Sequence, residues 1–296
     1  MFEKYTDWLK MEGKSENTIL AYQNALRKLT TWYENTEGHE FEPSKLTTLH
    51  LHEFQAYMNK TEKLAPETIN KIIASLKTFF KFALETGIVQ YNPTLKVKMK
   101  RTMNQYAAPK WLSKQDTAKF FHEIEKIKNE KQKARDMAMS RLMSGAGLRV
   151  QEVSDLVASD ICLENRRENV TVRDGKGGKF RIVPLNNDII DSIQEWLKYR
   201  DNLQANDPLF ITKRNTKIGV RSIYSRVVKL AKKASLEDVS PHTLRHTFCK
   251  SLVDQGVRLE QVAYLAGHDS LETTRRYTQP GENDLRRAVQ TISEKK

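Results

Sequence analysis

Between Asn92-Pro93 and Ala107-Ala108-Pro109 the chain loses the hydrophobic periodicity found on either side of it. Lys96, Lys98, Lys100 and Arg101 stand there instead. A stretch without an apolar face contributes no core, so the residues before and after it must each close one of their own. The 296 residues therefore read as two domains, 1–91 and 109–296, joined by a basic linker over 92–108.

The first domain reads as helical throughout. Phe2, Tyr5, Trp8 and Leu9 recur at helical spacing up to Gly13, and Ser15 is placed to cap a second stripe of Ile19, Tyr22, Leu26, Leu29 and Tyr33. A third helix starts at Thr48 and runs through Leu51, Phe54 and Met58. The fourth opens on Pro66, carries Ile69, Ile73, Leu76, Phe79, Phe80 and Ala83, and closes at Gly87. Lys71, Lys77 and Lys81 fall on its other face. The expectation is a bundle of four short helices with one basic surface.

Beyond the linker, Ser113 with Asp116 forms a capping signal for a helix through Phe120, Phe121 and Ile124. A helix over about 132–143 runs into a turn at Gly145 and Gly147, and 150–156 resumes as helix. Two strand-like runs, 169–173 and 180–185, flank Asp174-Gly175-Lys176-Gly177-Gly178-Lys179, the pattern of a hairpin with a glycine-rich basic tip. Helices return over 190–203, 220–234, 241–255, 259–266 and 271–277. A last amphipathic piece, Leu285, Ala288, Val289 and Ile292, stands beyond Pro280-Gly281. The fold class is mainly α with a small β-hairpin.

Lys and Arg number 50 against 37 Asp and Glu, a formal net charge of +13, and most of the excess lies beyond Ala108. From Asp207 to Glu237 the chain carries Lys213, Arg214, Lys217, Arg221, Arg226, Lys229, Lys232 and Lys233 with no acid between them. A one-sign surface of this kind suits a polyanion. No apolar run approaches the about 18 residues that span a bilayer, and the charged N-terminal segment has no signal-peptide core, so the chain is expected to be cytoplasmic. With only Cys162 and Cys249, far apart, neither a disulfide framework nor a cysteine zinc site is expected. No phosphate-binding Gly-x-x-x-x-Gly-Lys loop precedes a helix, no two histidines make a His-Glu-x-x-His pair, and no Gly-x-Ser-x-Gly elbow occurs. No cofactor or metal is expected.

What remains is a set of Arg, His, Lys and Tyr. Gly147-Leu148-Arg149-Val150-Gln151-Glu152-Val153, Gly175-Lys176-Gly177 followed by Arg181-Ile182-Val183-Pro184-Leu185, His242-x-x-Arg245-His246, Gly267-His268 and Arg276-Tyr277 occur in this order. Together they resemble the active-site motifs of the tyrosine recombinase (phage integrase) family, closest in kind to Xer-type site-specific recombinases. Ala266 stands where the family often has leucine. The resemblance implies an N-terminal SAM-like core-binding four-helix domain and a C-terminal α+β catalytic domain. It further implies a DNA breaking and rejoining enzyme that works through a covalent 3′-phosphotyrosyl intermediate and a Holliday junction.

The residue types suit that chemistry. Attack on a phosphodiester builds charge on the non-bridging oxygens, which Arg149 and Arg245 would meet with paired donors that stay charged, and His268 with a further hydrogen bond. The resemblance makes Tyr277 the nucleophile and Lys176 the acid for the leaving 5′ oxygen, with His242 as base. His246 is placed beneath the site as support. Arg275 and Arg276 either add phosphate attraction or lie on a solvated face.

The expected partner is double-stranded DNA carrying specific recombination sites. The Arg221, Arg226 and Lys229 helix is the candidate for the major groove. Lys71, Lys77 and Lys81 and the linker residues Lys96, Lys98, Lys100 and Arg101 are candidates for the backbone. By resemblance the protein closes on DNA as a clamp, acts as a homotetramer on two sites with a possible accessory protein, and exchanges a C-terminal helix at about 284–293. The chain length favours a simple resolver of dimers or transposon co-integrates over a large phage integrase. Two rivals share the fold: a type IB topoisomerase, which nicks and reseals without exchange, and a catalytically silent DNA-binding protein.

Overall fold

The computed structural model describes residues 2–100, 109–164, 167–173, 180–268, 270–278 and position 289. The chain divides into two units, Met1–Gln105 and Tyr106–Lys296.

In the first unit α1 (Phe2–Met11), α2 (Glu16–Glu37), α3 (Thr48–Lys60) and α4 (Pro66–Glu85) form a helical bundle. Ser15 caps α2 by accepting the Thr18 N–H, and Gly38 ends it at φ 72°. At α3 the cap is Thr47, one residue before the expected start, and it exchanges hydrogen bonds with His50. Four helices are present, but α2 and α4, at 22 and 20 residues, are long rather than short. The polar last turn of α2, after Tyr33, carries no apolar residue to reveal it in sequence. Tyr5, Phe79, Phe80 and Phe54 fill the core, with Tyr5 set edge-on to Phe79 at 5.1 Å.

The expected linker is divided. Residues 92–100 are strapped to the first unit: Val97 is buried in its core, Gln55 donates to the Lys98 carbonyl, and Asn70 both donates to the Lys100 carbonyl and accepts its N–H. Arg101 lies outside the described residues. Lys71, Lys81, Lys96 and Lys98 are exposed, and Lys77 and Lys100 half-buried. Lys81 lies 3.7 Å from Glu85 and over the ring of Trp8.

In the second unit α5 (Lys114–Glu125), α6 (Glu130–Gly145) and α7 (Val150–Asp155) lead to a three-stranded antiparallel sheet. Its strands are β1 (Ile161–Cys162), β2 (Asn169–Arg173) and β3 (Phe180–Pro184), in that order. Val170 pairs with Val183 and Val172 with Arg181. The valines and Arg181 face inward while Phe180 and Ile182 face out. Two residues are too few to show alternation, so β1 has no sequence signature. The hairpin tip, with Lys176, lies outside the described residues, as does the segment 284–293 apart from position 289.

Then follow α8 (Asn187–Leu197), α9 (Val220–Lys233), α10 (Pro241–Asp254), α11 (Leu259–Ala266) and α12 (Leu271–Arg275). The run expected as helix to 203 stops at Leu197, and α12 ends before Tyr277, which sits in a turn. The main core gathers around Phe120, Leu142, Trp196, Phe210 and Leu244. Phe248, Cys249, Val262, Ala266 and Tyr277 form a smaller one beneath the candidate site. Both cysteines are free thiols. No helix among the described residues is long and apolar enough to cross a membrane.

Candidate active site

Arg149 is the N-cap of α7, placed there by the turn at Gly147, which takes φ 69°. A Cβ at Gly147 would collide with the ring of Phe248, so glycine is required twice over, for the backbone angle and for the contact. Arg245 projects from the first turns of α10, which opens on Ser240 and Pro241. His268 follows Gly267, the left-handed cap of α11 at φ 64°.

Three guanidinium groups converge on the C-terminal end of α11. Arg181 Nε donates to the Leu265 carbonyl at 2.9 Å, Arg245 Nη2 to that of Ala266, and Arg149 Nη2 to that of Gly267. These are three consecutive carbonyls at the negative end of a helix, where cations are favoured. Arg245 also donates to the Gly147 carbonyl and is 4% exposed, whereas the Arg149 side chain is 40% exposed. A guanidinium has five N–H donors, so anchoring two of them leaves others for a ligand.

Glu152 lies among the three arginines. It accepts from Arg181 Nη1 and Nη2 at 2.9 and 2.8 Å, from Arg149 Nη1 at 2.9 Å and from the Arg149 backbone N–H at 2.7 Å, with Arg245 Nη1 at 3.9 Å. Burial pushes its carboxyl up, but hydrogen bonding and charge from Arg181, with the contribution of Arg149, hold it below the ordinary carboxylate range. Burial and the neighbouring Arg149 lower Arg245 to about 10.

The candidate nucleophile is docked inward. Tyr277 is 2% exposed, its hydroxyl lies 2.6 Å from His246 Nδ1, and its ring stacks on that of His268 at 6.2 Å and 6°. Burial, reinforced by Cys249, pushes the phenol above its ordinary value. Burial and the charges around them lower both His246 and His268 to about 4, so each is a neutral imidazole near pH 7. His268 Nδ1 lies 2.8 Å from Thr274 Oγ1. His242, which sequence placed as the base, has an exposed side chain. Partial burial and the charges of Arg245 and Arg149 lower its pKa. The histidine in contact with the tyrosine hydroxyl is His246.

Arg149, Arg245, His242, His268 and Tyr277 are thus brought together from α6–α7, α10 and the α11–α12 region. Arg275 pairs with Glu272 on an exposed turn. Sequence reasoning gave no role to Glu152 or Arg181. The available signals were an acid three residues after Arg149 in a first helical turn and an arginine on the valine-bearing face of β3. Among the described residues no group of His, Cys, Asp or Glu is placed to hold a metal ion.

On the candidate DNA-binding helix α9, Arg221 and Lys229 are exposed, but Arg226 is not available as expected. Its guanidinium is paired with Asp136 of α6, which is 1% exposed and also bonded by Arg135. Arg226 fastens α9 rather than presenting charge to solvent.

Comparison with known proteins gives the family. Residues 110–283 match the phage integrase family and residues 1–89 the phage integrase N-terminal SAM-like domain. The chain is similar to TnP I resolvase of Bacillus thuringiensis, with 29% identity over 98% of this chain and 99% of the relative. It is similar to tyrosine recombinase XerA of Pyrococcus horikoshii, with 32% identity over 98% and 92%. Among solved structures, XerH site-specific recombinase bound to palindromic difH substrate matches with TM-score 0.77 and 26% identity, over 94% of this chain and 80% of that one. Matched by both family models and by relatives across nearly its whole length, the chain belongs to the phage integrase family as a Xer-like tyrosine recombinase, a DNA breaking and rejoining enzyme that acts in site-specific recombination.

Proposed function

We propose that Tyr277 attacks the scissile phosphate to form a 3′-phosphotyrosyl link and expel the 5′ oxygen. Arg149 and Arg245 hold the non-bridging oxygens, His268 donates a further hydrogen bond, His242 takes the phenol proton and Lys176 protonates the leaving oxygen. The observation that carries this reading is the fastening of Arg149 and Arg245 to consecutive carbonyls immediately before His268. Cations fixed in this way need no reorganisation as charge develops on phosphorus. The docked Tyr277 is then a resting state, and the tyrosine swings out of its pocket to react.

The exchange of strands runs through a Holliday junction held by a homotetramer on two DNA sites, in the cytoplasm, with the segment 284–293 passed between neighbours. Domain 1–91 and the catalytic domain 109–296 both contact the duplex. The match over 99% of the length of a protein named a resolvase supports resolution, of dimers or of co-integrates, over integration or excision.

The test is a nicked duplex carrying the site mapped by footprinting on DNA flanking the gene. Wild type should form an SDS-resistant protein–DNA adduct and Tyr277→Phe none. Adduct with Tyr277→Phe, or none with wild type, overturns the reading. Relaxation of supercoils by monomers on any sequence, without recombinant products from paired sites, would replace it with a topoisomerase.

A further inference from the structure

Glu152 poses a problem for any site that binds a phosphate. A buried carboxylate beside Arg149 and Arg245 competes with the ligand for their N–H donors and cancels part of their charge. Arg181 answers it. Its fork occupies both oxygens of Glu152, at 2.9 and 2.8 Å, so Arg149 gives that carboxylate one side-chain donor and Arg245 stays at 3.9 Å. At 9% exposure Arg181 faces the carbonyl of Leu265 and the carboxylate, not solvent. Room is made for it at Gly267, where an added Cβ would lie 2.7 Å from Arg181 Nη1. With Arg181 gone, Glu152 would face two cations instead of three and draw both toward itself.

We propose that Arg181 is a positioning residue for strand cleavage: it saturates Glu152 so that Arg149 and Arg245 keep their donors for the scissile phosphate. The proposal rests on the cleavage reading above and needs no direct contact between Arg181 and DNA. It makes the effect of Arg181 conditional on the charge of Glu152, which a purely architectural role, holding β3 against α11, would not do.

A double-mutant cycle on the full-length chain tests it, with rates of adduct formation on the nicked duplex and affinity for the intact site measured in parallel. Arg181→Gln should slow adduct formation about 100-fold, the scale set by loss of one preorganised charge interaction at such a site. Affinity, dominated by contacts elsewhere on the duplex, should stay within about threefold. Arg181→Lys, which keeps the charge without the fork, should lose less than Arg181→Gln. In the Glu152→Gln background the same Arg181→Gln change should cost less than about fivefold, because the charge it balances is gone. That last comparison stands even where Arg181→Gln alone fails to fold. An equal loss in both backgrounds, or Arg181→Gln as fast as wild type, overturns the proposal and leaves the assignment of Tyr277 untouched. Absence of adduct with wild type instead strikes the cleavage reading.

Discussion

The hydroxyl of Tyr277 lies 2.6 Å from Nδ1 of His246, in a pocket that leaves the tyrosine 2% exposed. A phenol held there is shielded from solvent reagents. Acylation of Tyr277 by N-acetylimidazole, read by mass spectrometry, should be slow in the free protein and faster once a nicked site is bound. Equal rates in both states would mean that the tyrosine does not leave its pocket on DNA.

Acid should loosen the catalytic unit. His246 and His268 are lowered to about 4, against an ordinary histidine value near 6.5. Below pH 6.5 the unfolded chain takes up protons that the folded chain refuses. Their contribution to stability therefore falls as pH drops from about 6.5 to 4, and in stronger acid Glu152, held below the ordinary carboxylate range, continues the loss. For His246 the fall from 6.5 to about 4 is worth about 3 kcal/mol, and His268, more open to solvent screening, adds a smaller share. Calorimetry of the full chain across this range should show it, and His246→Gln with His268→Asn should flatten the slope.

Arg221 and Arg226 lie on one helix and should behave oppositely. Arg226→Ala leaves the buried Asp136 with Arg135 as its remaining cation and should cost about 2 kcal/mol of stability. It should change the salt dependence of DNA binding little. Arg221→Ala should leave the melting temperature unchanged and reduce the slope of log K against log salt by about 1, as expected for one lost phosphate contact. Melting curves and binding titrations across salt distinguish them.

The left-handed glycines should rank by what surrounds them. Gly13→Ala and Gly256→Ala meet open space and should cost about 1 kcal/mol for the backbone angle alone. Gly267→Ala adds a clash with the Arg181 guanidinium and should slow cleavage as well as destabilise. Gly147→Ala, driven into the Phe248 ring, should cost most, about 3 kcal/mol or more. Thermal melts of the four variants give the order.

Asn70→Ala should free the strap. Two hydrogen bonds to the Lys100 backbone are lost, worth about 1–2 kcal/mol. Hydrogen exchange over 97–100 should quicken, and trypsin should cut sooner after Lys98 and Lys100.

Much of this architecture is legible in the residues themselves. Ser15, Pro66 and Ser113 start their helices where capping chemistry puts them, and the alternation in 169–173 and 180–184 pairs as expected. The parts that escape are those decided by partners distant in sequence. Arg226 reads like any other basic residue of α9 until Asp136, ninety positions away, is seen to take it. The strap at 92–100 is held by the lone apolar side chain of Val97 and by backbone groups of Lys98 and Lys100, which carry no periodic signature. Tyr277 stands out in the motif, but its burial depends on Phe248, Val262 and Ala266 closing around it.

The three carbonyls at the end of α11 also tie assembly of the candidate site to folding. Arg149, Arg181 and Arg245 reach them across 118, 84 and 21 residues of chain. Contacts so distant in sequence form only once the segments between them have folded. A nascent or partly unfolded chain therefore owns every residue of the site but no site. Local opening of α11 removes one anchor from each of the three cations at once, leaving Arg149 and Arg181 tied to Glu152 and Arg245 to the Gly147 carbonyl.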